Sequence, residues 1–172
     1  MTLSMLLAGC AKGEELIPNY DEKWKPEIVE IYNKSVAKAE KTGWTTDMLA
    51  AGAGIQKGKS VFNLEINDTS GIIYYDRNLG VPQSASIEDN ILYRIGKIVN
   101  DPYATVGKVI DKNVYIYTQT ENGKTYTLNL TVTNNLITKI ASYSEDRLMV
   151  ESAIGYTPSQ NELTALDDFY AM

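Results

Sequence analysis

The stretch Val114-Tyr115-Ile116-Tyr117-Thr118-Gln119-Thr120-Glu121-Asn122-Gly123-Lys124-Thr125-Tyr126-Thr127-Leu128-Asn129-Leu130-Thr131-Val132 decides how this chain folds. Asn-Gly between two alternating runs is the strongest short hairpin signal, because a two-residue type I′ turn needs positive φ at both central positions. With Asn122-Gly123 as that turn, Glu121 faces Lys124, Gln119 faces Tyr126, Tyr117 faces Leu128 and Tyr115 faces Leu130. Cross-strand partners share a face. Tyr115, Tyr117, Tyr126, Leu128 and Leu130 therefore lie together, with Val114, Ile116, Thr127, Asn129 and Thr131 on the opposite side. The Tyr/Leu face has the larger apolar area and is expected to carry helices. The Thr-rich face is expected to be half-solvated, as in many antiparallel sheets. A slip of one residue would exchange the two faces.

Working outward, strands are predicted at 105–110, 114–120, 125–132 and 136–144, joined by turns at Asp111-Lys112-Asn113, Asn122-Gly123 and Asn134-Asn135. The run 26–41 reads as a helix, with Pro26 in its first turn, a stripe of Ile28, Ile31, Tyr32, Val36 and Ala39, and Gly43 as its stop. Glu30 and Lys34 add an i,i+4 pair. A helical turn is expected over 46–51, then a glycine-rich connector over 52–58. The runs 61–66 and 72–76 predict a hairpin about a turn at 67–71, followed by a loop containing Gly80 and Pro82. A second helix is predicted over 86–100, with Ser86 as its N-cap and a stripe of Ile87, Ile91, Leu92, Ile95, Ile98 and Val99, ended by Asp101-Pro102. Short helices are expected over 146–153 and after Thr157-Pro158, the latter with Leu163, Leu166 and Phe169 on its apolar side. The pattern predicts an α+β fold: helices packed on one face of an antiparallel sheet, with a C-terminal four-stranded meander.

Composition narrows the chemistry. The chain has 172 residues, which suits one domain, and a net charge of −6 with one cysteine and no histidine. Without histidine there is no Ser–His–Asp or Cys–His nucleophile system and no zinc site of the usual Cys/His kind. One cysteine makes no disulfide framework. The negative balance argues against nucleic-acid binding by charge.

The first nine residues carry no charge and end in Leu7-Ala8-Gly9-Cys10. An apolar run closing on small residues is the mark of an export signal. The order Leu-Ala-Gly-Cys resembles the lipobox of bacterial lipoproteins. That resemblance implies that Cys10 is lipidated on sulfur, that residues 1–9 are the remainder of a signal peptide whose basic start lies upstream, and that Cys10 becomes the mature N-terminus. It also implies an extracytoplasmic protein held at the cell membrane by a lipid anchor. Two acyl chains would make that anchor stable. Residues 10–25, charged and containing Pro18, are expected to be the lipidated cysteine and a flexible tether, and residues 26–172 a single α+β domain.

Ala53-Gly54-Ile55-Gln56-Lys57-Gly58-Lys59-Ser60 fits a relaxed phosphate-binding loop, but it follows no buried strand and leads into a strand rather than a helix, so nucleotide binding is not expected. The acidic pairs Glu14-Glu15, Asp21-Glu22, Glu88-Asp89, Glu145-Asp146 and Asp167-Asp168 are sequence neighbours, whereas glycoside hydrolysis needs two carboxylates facing each other across a cleft. The runs Asn67-Asp68-Thr69-Ser70 and Asp76-Arg77-Asn78 lack EF-hand spacing and suit turns. No catalytic residue, cofactor or metal ligand is assigned. Of the 12 tyrosines, Tyr74, Tyr75, Tyr115, Tyr117, Tyr126 and Tyr143 fall on predicted strands, and the first five of these form the candidate binding surface.

The helix followed by a four-stranded meander over 86–144, including Asn-Gly-Lys-x-Tyr-x-Leu-x-Leu, resembles the β-lactamase-inhibitor-protein-like domains of bacterial envelope lipoproteins and secreted inhibitors. Taken with Cys10, it implies a non-enzymatic envelope module that binds another protein. The alternative is a lipoprotein that binds a small ligand or wall fragment in a pocket between the sheet and the helices, with a carboxylate-dependent hydrolase third.

Overall fold

The structure, a computed structural model, describes residues 16–42, 44–50, 55–66, 69–76, 81–86, 91–157, 160, 161 and 164; for 45–50, 55–66, 69–76 and 81–86 it describes the backbone alone. Its organising unit is the hairpin of β7 (Val114–Glu121) and β8 (Lys124–Thr133). Asn122 and Gly123 turn with φ of 52° and 76°, as a type I′ turn requires. The register pairs Glu121 with Lys124, Gln119 with Tyr126, Tyr117 with Leu128 and Tyr115 with Leu130, as the turn predicts.

The elements run in the order β1 (Asn19–Tyr20), α1 (Trp24–Thr42), β2 (Trp44–Ala50), β3 (Ile55–Ile66), β4 (Thr69–Asp76) and β5 (Val81–Ser86), then two helical turns, α2 (Ile91–Arg94) and α3 (Gly96–Val99). β6 (Thr105–Val109), a 3-10 turn at Ile110–Lys112, β7, β8, β9 (Leu136–Ser144) and β10 (Arg147–Gly155) follow. The strands form one sheet in the order β1-β6-β7-β8-β9-β10-β2-β3-β4-β5, antiparallel throughout. The fold is α+β, with the meander β6–β9 intact at its centre.

The Tyr/Leu face carries the helices. Ile28, Ile31, Tyr32 and Ala39 of α1 and Ile91, Leu92, Ile95 and Val99 bury against Tyr115, Tyr117, Leu128, Leu130, Ile137 and Ile140. Val36 is only partly buried, and Ser35 takes the central place. Ser35 donates to the Ile31 carbonyl (2.8 Å) and accepts from the Ile137 N–H (2.9 Å), so it pins the helix to β9. Buried tyrosines add further ties. The Tyr32 hydroxyl donates to the Leu92 carbonyl (2.7 Å), Tyr117 to Val99 (3.1 Å) and Tyr156 to Ile137 (2.7 Å). Burial pushes the Tyr32 and Tyr156 hydroxyls up to about 12, so both stay protonated donors at any ordinary pH.

At the edge of this layer the Lys108 ammonium sits 4.6 Å from the Trp24 ring centre and 4.8 Å from that of Tyr115, and pairs with Glu27 at 2.9 Å. Tyr115 also donates to Glu27. Burial works to raise the Glu27 carboxyl, but hydrogen bonds from Lys108 and Tyr115 and attraction to Lys108 and Lys23 outweigh it and hold the group below its ordinary value.

Several expected elements differ. The helical turn at 46–51 is replaced by β2, whose residues 45–50 pair with β10 and 44–49 with β3. The glycine-rich connector is strand from Ile55 onward. Within the phosphate-loop motif, Lys59 and Ser60 are paired on both sides, to Thr45 and Trp44 of β2 and to Tyr75 and Tyr74 of β4, so their backbone forms no anion-cradling loop. The loop at Pro82 and the N-cap at Ser86 belong to β5, where a proline is tolerated because, among the described residues, the strand has a neighbour on one side only. The described part of the second helix starts at Ile91, and Ile98 is exposed rather than on its buried stripe. The helix expected at 146–153 is β10: Ser152 and Ile154 are buried and Ala153 exposed, and a bulge at Leu148/Val150 blurs that alternation in sequence. The tether does not extend to Lys25, because Asn19 and Tyr20 join the sheet and Trp24 is buried. Gly43, the turn residues 67–68, Asn78, Ile87, Glu88, Asp89 and the apolar side of the last helix lie outside the described residues.

Two outcomes follow. Ser35→Ala leaves the Ile137 amide without its partner in a dry layer and should cost about 1–3 kcal/mol in urea unfolding. Glu27 has a lowered folded value, so its contribution is present above the ordinary value of 4.5 and is lost as pH falls through the lowered one. Glu27→Gln should therefore be less stable than the parent at neutral pH, and the difference should close in acid.

Candidate functional site

The site grows from the segment Leu16-Ile17-Pro18-Asn19-Tyr20. Pro18 cannot donate a backbone hydrogen bond and favours extended chain. Asn19 and Tyr20 then pair with Lys108 and Gly107 on the outer edge of β6. Alternation along this short strand sends its two side chains to opposite faces. The Asn19 amide oxygen accepts from the Trp24 indole N–H (3.3 Å) on the helix side. Tyr20 shares the other face with Gly107, its register partner.

Gly107 makes that approach possible. A Cβ there would stand 2.7 Å from Pro18 Cβ and 3.0 Å from Tyr20 Cε1. The segment thus crosses the Thr-rich face as a strap, and Leu16 caps a small apolar cluster of Val109, Val114 and Ile116. This is why that face is less open than a bare half-solvated sheet: Val114 and Ile116 are each 8% exposed.

Beside the strap lies a groove of about 460 Å³. Leu16, Pro18 and Tyr20 line it from the strap, Ile116 and Thr118 from β7, Thr125, Thr127 and Asn129 from β8, and Tyr143, Glu145 and Asp146 from the end of β9 and the turn into β10. Register explains the floor. Thr118, Thr127 and Tyr143 face one another across three adjacent strands, and Ile116 and Asn129 form the next row. Within a row, neighbouring strands stand ~4.8 Å apart.

The acidic end is held in place. Glu145 adopts φ 53°, its N–H donates to the Thr125 carbonyl (2.7 Å), and its Oε1 accepts from the Thr125 N–H (3.1 Å). In the floor, Asn129 Oδ1 is buried and no donor among the described residues reaches it. Among the described residues the groove is lined by two aromatic rings, threonine hydroxyls, an asparagine and two carboxylates.

The tyrosines expected to form a binding surface are divided by the structure. Tyr115 and Tyr117 are 1% and 2% exposed, because their face is the one the helices cover, so neither offers a surface. Tyr126 shares that face near the hairpin turn and is 40% exposed. Tyr74 and Tyr75 are successive residues of β4, opposite Gln83 and Pro82 of β5. Leu7, Ala8, Gly9 and Cys10 lie outside the described residues.

Sequence reasoning missed Tyr20, Tyr143 and Glu145 as groove residues. The usable signal was the row of Thr and Asn opposite the Tyr/Leu face. Among the described residues no helix is long and apolar enough to cross a membrane, and no group of three or more Asp, Glu, Cys or His could hold a metal ion. No protein-family model matches the chain, and no curated protein matches it.

The strap is testable on its own. Gly107→Val should displace residues 16–20 from the sheet and speed their proteolytic cleavage, while amide chemical shifts of buried Tyr117 and Leu130 stay near the parent's.

Proposed function

We propose that this is an exported envelope lipoprotein, anchored to the extracytoplasmic face of the cell membrane through Cys10, which works by binding a small polar ligand or wall fragment in the strap-walled groove. The observation that carries this reading is the groove itself: a concavity of about 460 Å³ lined by Tyr20, Tyr143, Glu145, Asn129 and a row of threonines. A volume of this order lies in the range typical of small-molecule sites. Hydroxyls, an amide and carboxylates beside aromatic rings supply hydrogen bonds and stacking to a polar, ring-shaped guest.

The anchor and the groove would be close. Leu16, at the start of the strap, follows Cys10 by six residues, which reach at most ~20 Å when fully extended. A ligand would then be met near the membrane surface.

A module that binds another protein is the second reading. Exposed Tyr126 and Met149 favour it, but two of the five tyrosines first assigned to such a surface are buried.

A thermal-shift screen of wall fragments and polar metabolites against the parent and Gly107→Val separates the two. The groove reading expects a compound that raises the parent Tm by several degrees (~2.7 kcal/mol at a hundredfold excess over Kd) and leaves the variant unmoved. If no compound acts, and crosslinking in intact envelopes captures a protein through Tyr126, the protein-binding reading replaces it. Independently, Cys10→Ala should move the protein from the membrane fraction to the soluble one, and unchanged membrane association would refute the anchor.

A further inference from the structure

We propose that the sheet edge formed by β1 and β6 rests on the lipid bilayer, with Ile17, Tyr20, Tyr103 and Ile110 at the level of the headgroups. The proposal rests on the reading that Cys10 is the anchor, and it adds which side of the domain the anchored protein turns to the membrane.

Apolar exposure among the described residues is concentrated at this edge. Seven large apolar side chains stand exposed. The four most exposed, at 59 to 92%, are Ile17, Tyr20, Tyr103 and Ile110, and the other three are at 37 to 44%. Topology places the four along one rim. Among the described residues β1 is the outermost strand, beside β6, and Tyr20 stands opposite Gly107. The same register carried back along the chain brings Ile17 level with Ile110, just past the end of β6. Tyr103 stands in the turn that enters β6, and its neighbours Pro102 and Ala104 line one hollow with Tyr20. From Tyr103 to Ile110 the rim is at most ~23 Å long.

The occupant follows from the chain that reaches this edge. Ile17 follows Cys10 by seven residues, a span of at most ~25 Å. A lipid on that cysteine therefore holds the β1/β6 edge close to the bilayer. Tyrosine suits that depth, because its ring is apolar while its hydroxyl stays with water and headgroups. A second copy of the chain fits less well. β1 is two residues long and follows Pro18, which has no amide proton, so it offers little backbone for strand addition. The charges beside the rim are mixed, Asp21 and Glu22 with Lys23 and Lys25, and Asp111 with Lys112. The contact therefore depends on apolar area rather than on attraction to anionic lipid.

The single cysteine lets the tether be built without relying on lipidation in the cell. The whole chain, ¹⁵N-labelled, is coupled through the Cys10 thiol to a maleimide phospholipid in phosphatidylcholine nanodiscs that carry a trace of gadolinium-chelate lipid. Line broadening then reports closeness to the headgroups. Met149 is the internal reference, because β10 lies five strands from β1 in the sheet order, or ~24 Å. The expected result is clearly stronger broadening of the Tyr103 and Ile110 amides than of the Met149 amide. The difference should survive added NaCl and collapse in Y103S/I110S, whose unchanged Tm would report intact folding.

Equal broadening at the three positions, a difference that NaCl abolishes, or one that Y103S/I110S leaves unchanged overturns the proposal. So does a shift of the Tyr103 and Ile110 resonances with protein concentration in the absence of lipid, which would assign the edge to a second copy. The anchor is judged separately, by the fractionation of Cys10→Ala. A domain that tumbles freely on the nanodisc while Cys10→Ala turns soluble refutes the docking and keeps the anchor. A docked edge with unchanged fractionation refutes the anchor and keeps the affinity of the edge for lipid.

Discussion

Everything in this fold depends on the register of one hairpin. The positive φ values of Asn122 and Gly123 close a two-residue turn, and that turn sets Tyr115 against Leu130 and Tyr117 against Leu128. Because side chains alternate with a period of two, a shift of one residue would exchange the faces along the whole strand. The core face would then show Val114, Ile116, Thr127 and Asn129 to the helices, and the buried tyrosine hydroxyls would lose the backbone carbonyls they reach. The turn thus settles at once where the hydrophobic layer lies and which face carries the groove.

The two faces are finished by different devices. On the core side, α1 supplies apolar stripe residues and one polar peg, Ser35, which satisfies a β9 amide inside a dry layer. The tyrosine hydroxyls of Tyr32, Tyr117 and Tyr156 do the same for carbonyls at the helix and strand ends. On the other side there is no described helix to bury against. Residues 16–20 take that place as a strap, admitted by the missing Cβ of Gly107, and leave a walled groove rather than a flat sheet. The strap links to the core side too, through Asn19 to Trp24, which in turn lies against Lys108.

The meander and α1 were legible because their signals are local: an Asn-Gly turn, clean alternation, and a helical stripe from Ile28 to Ala39. The strands β2, β5 and β10 were not. Thr45 and Thr46 sit beside Met48, Leu49 and Ala50, which suit a helix as well as a strand, and only the neighbours β10 and β3 decide. In β10 a bulge interrupts the period, and Pro82 in β5 argues for a loop until its position at the sheet edge is known. The groove was hidden for the same reason. Tyr20 and Tyr143 are 123 positions apart by number in the chain, and sequence offers no measure of which distant tyrosines share a face. Tyr115 and Tyr117 were misassigned as surface because their apolar burial outweighs the appeal of an exposed ring, once each hydroxyl has an internal acceptor.

The account stands on the assignment of faces, and thiol accessibility reads that most directly. In a Cys10→Ser background, Thr127→Cys and Leu128→Cys place a single thiol on adjacent residues of β8. Labelling by a maleimide under native conditions should be fast at position 127, on the groove face, and should require global unfolding at position 128, under the helices. Fast labelling at 128 with protection at 127 would mean that the register is slipped, and neither the core nor the groove described here could then exist.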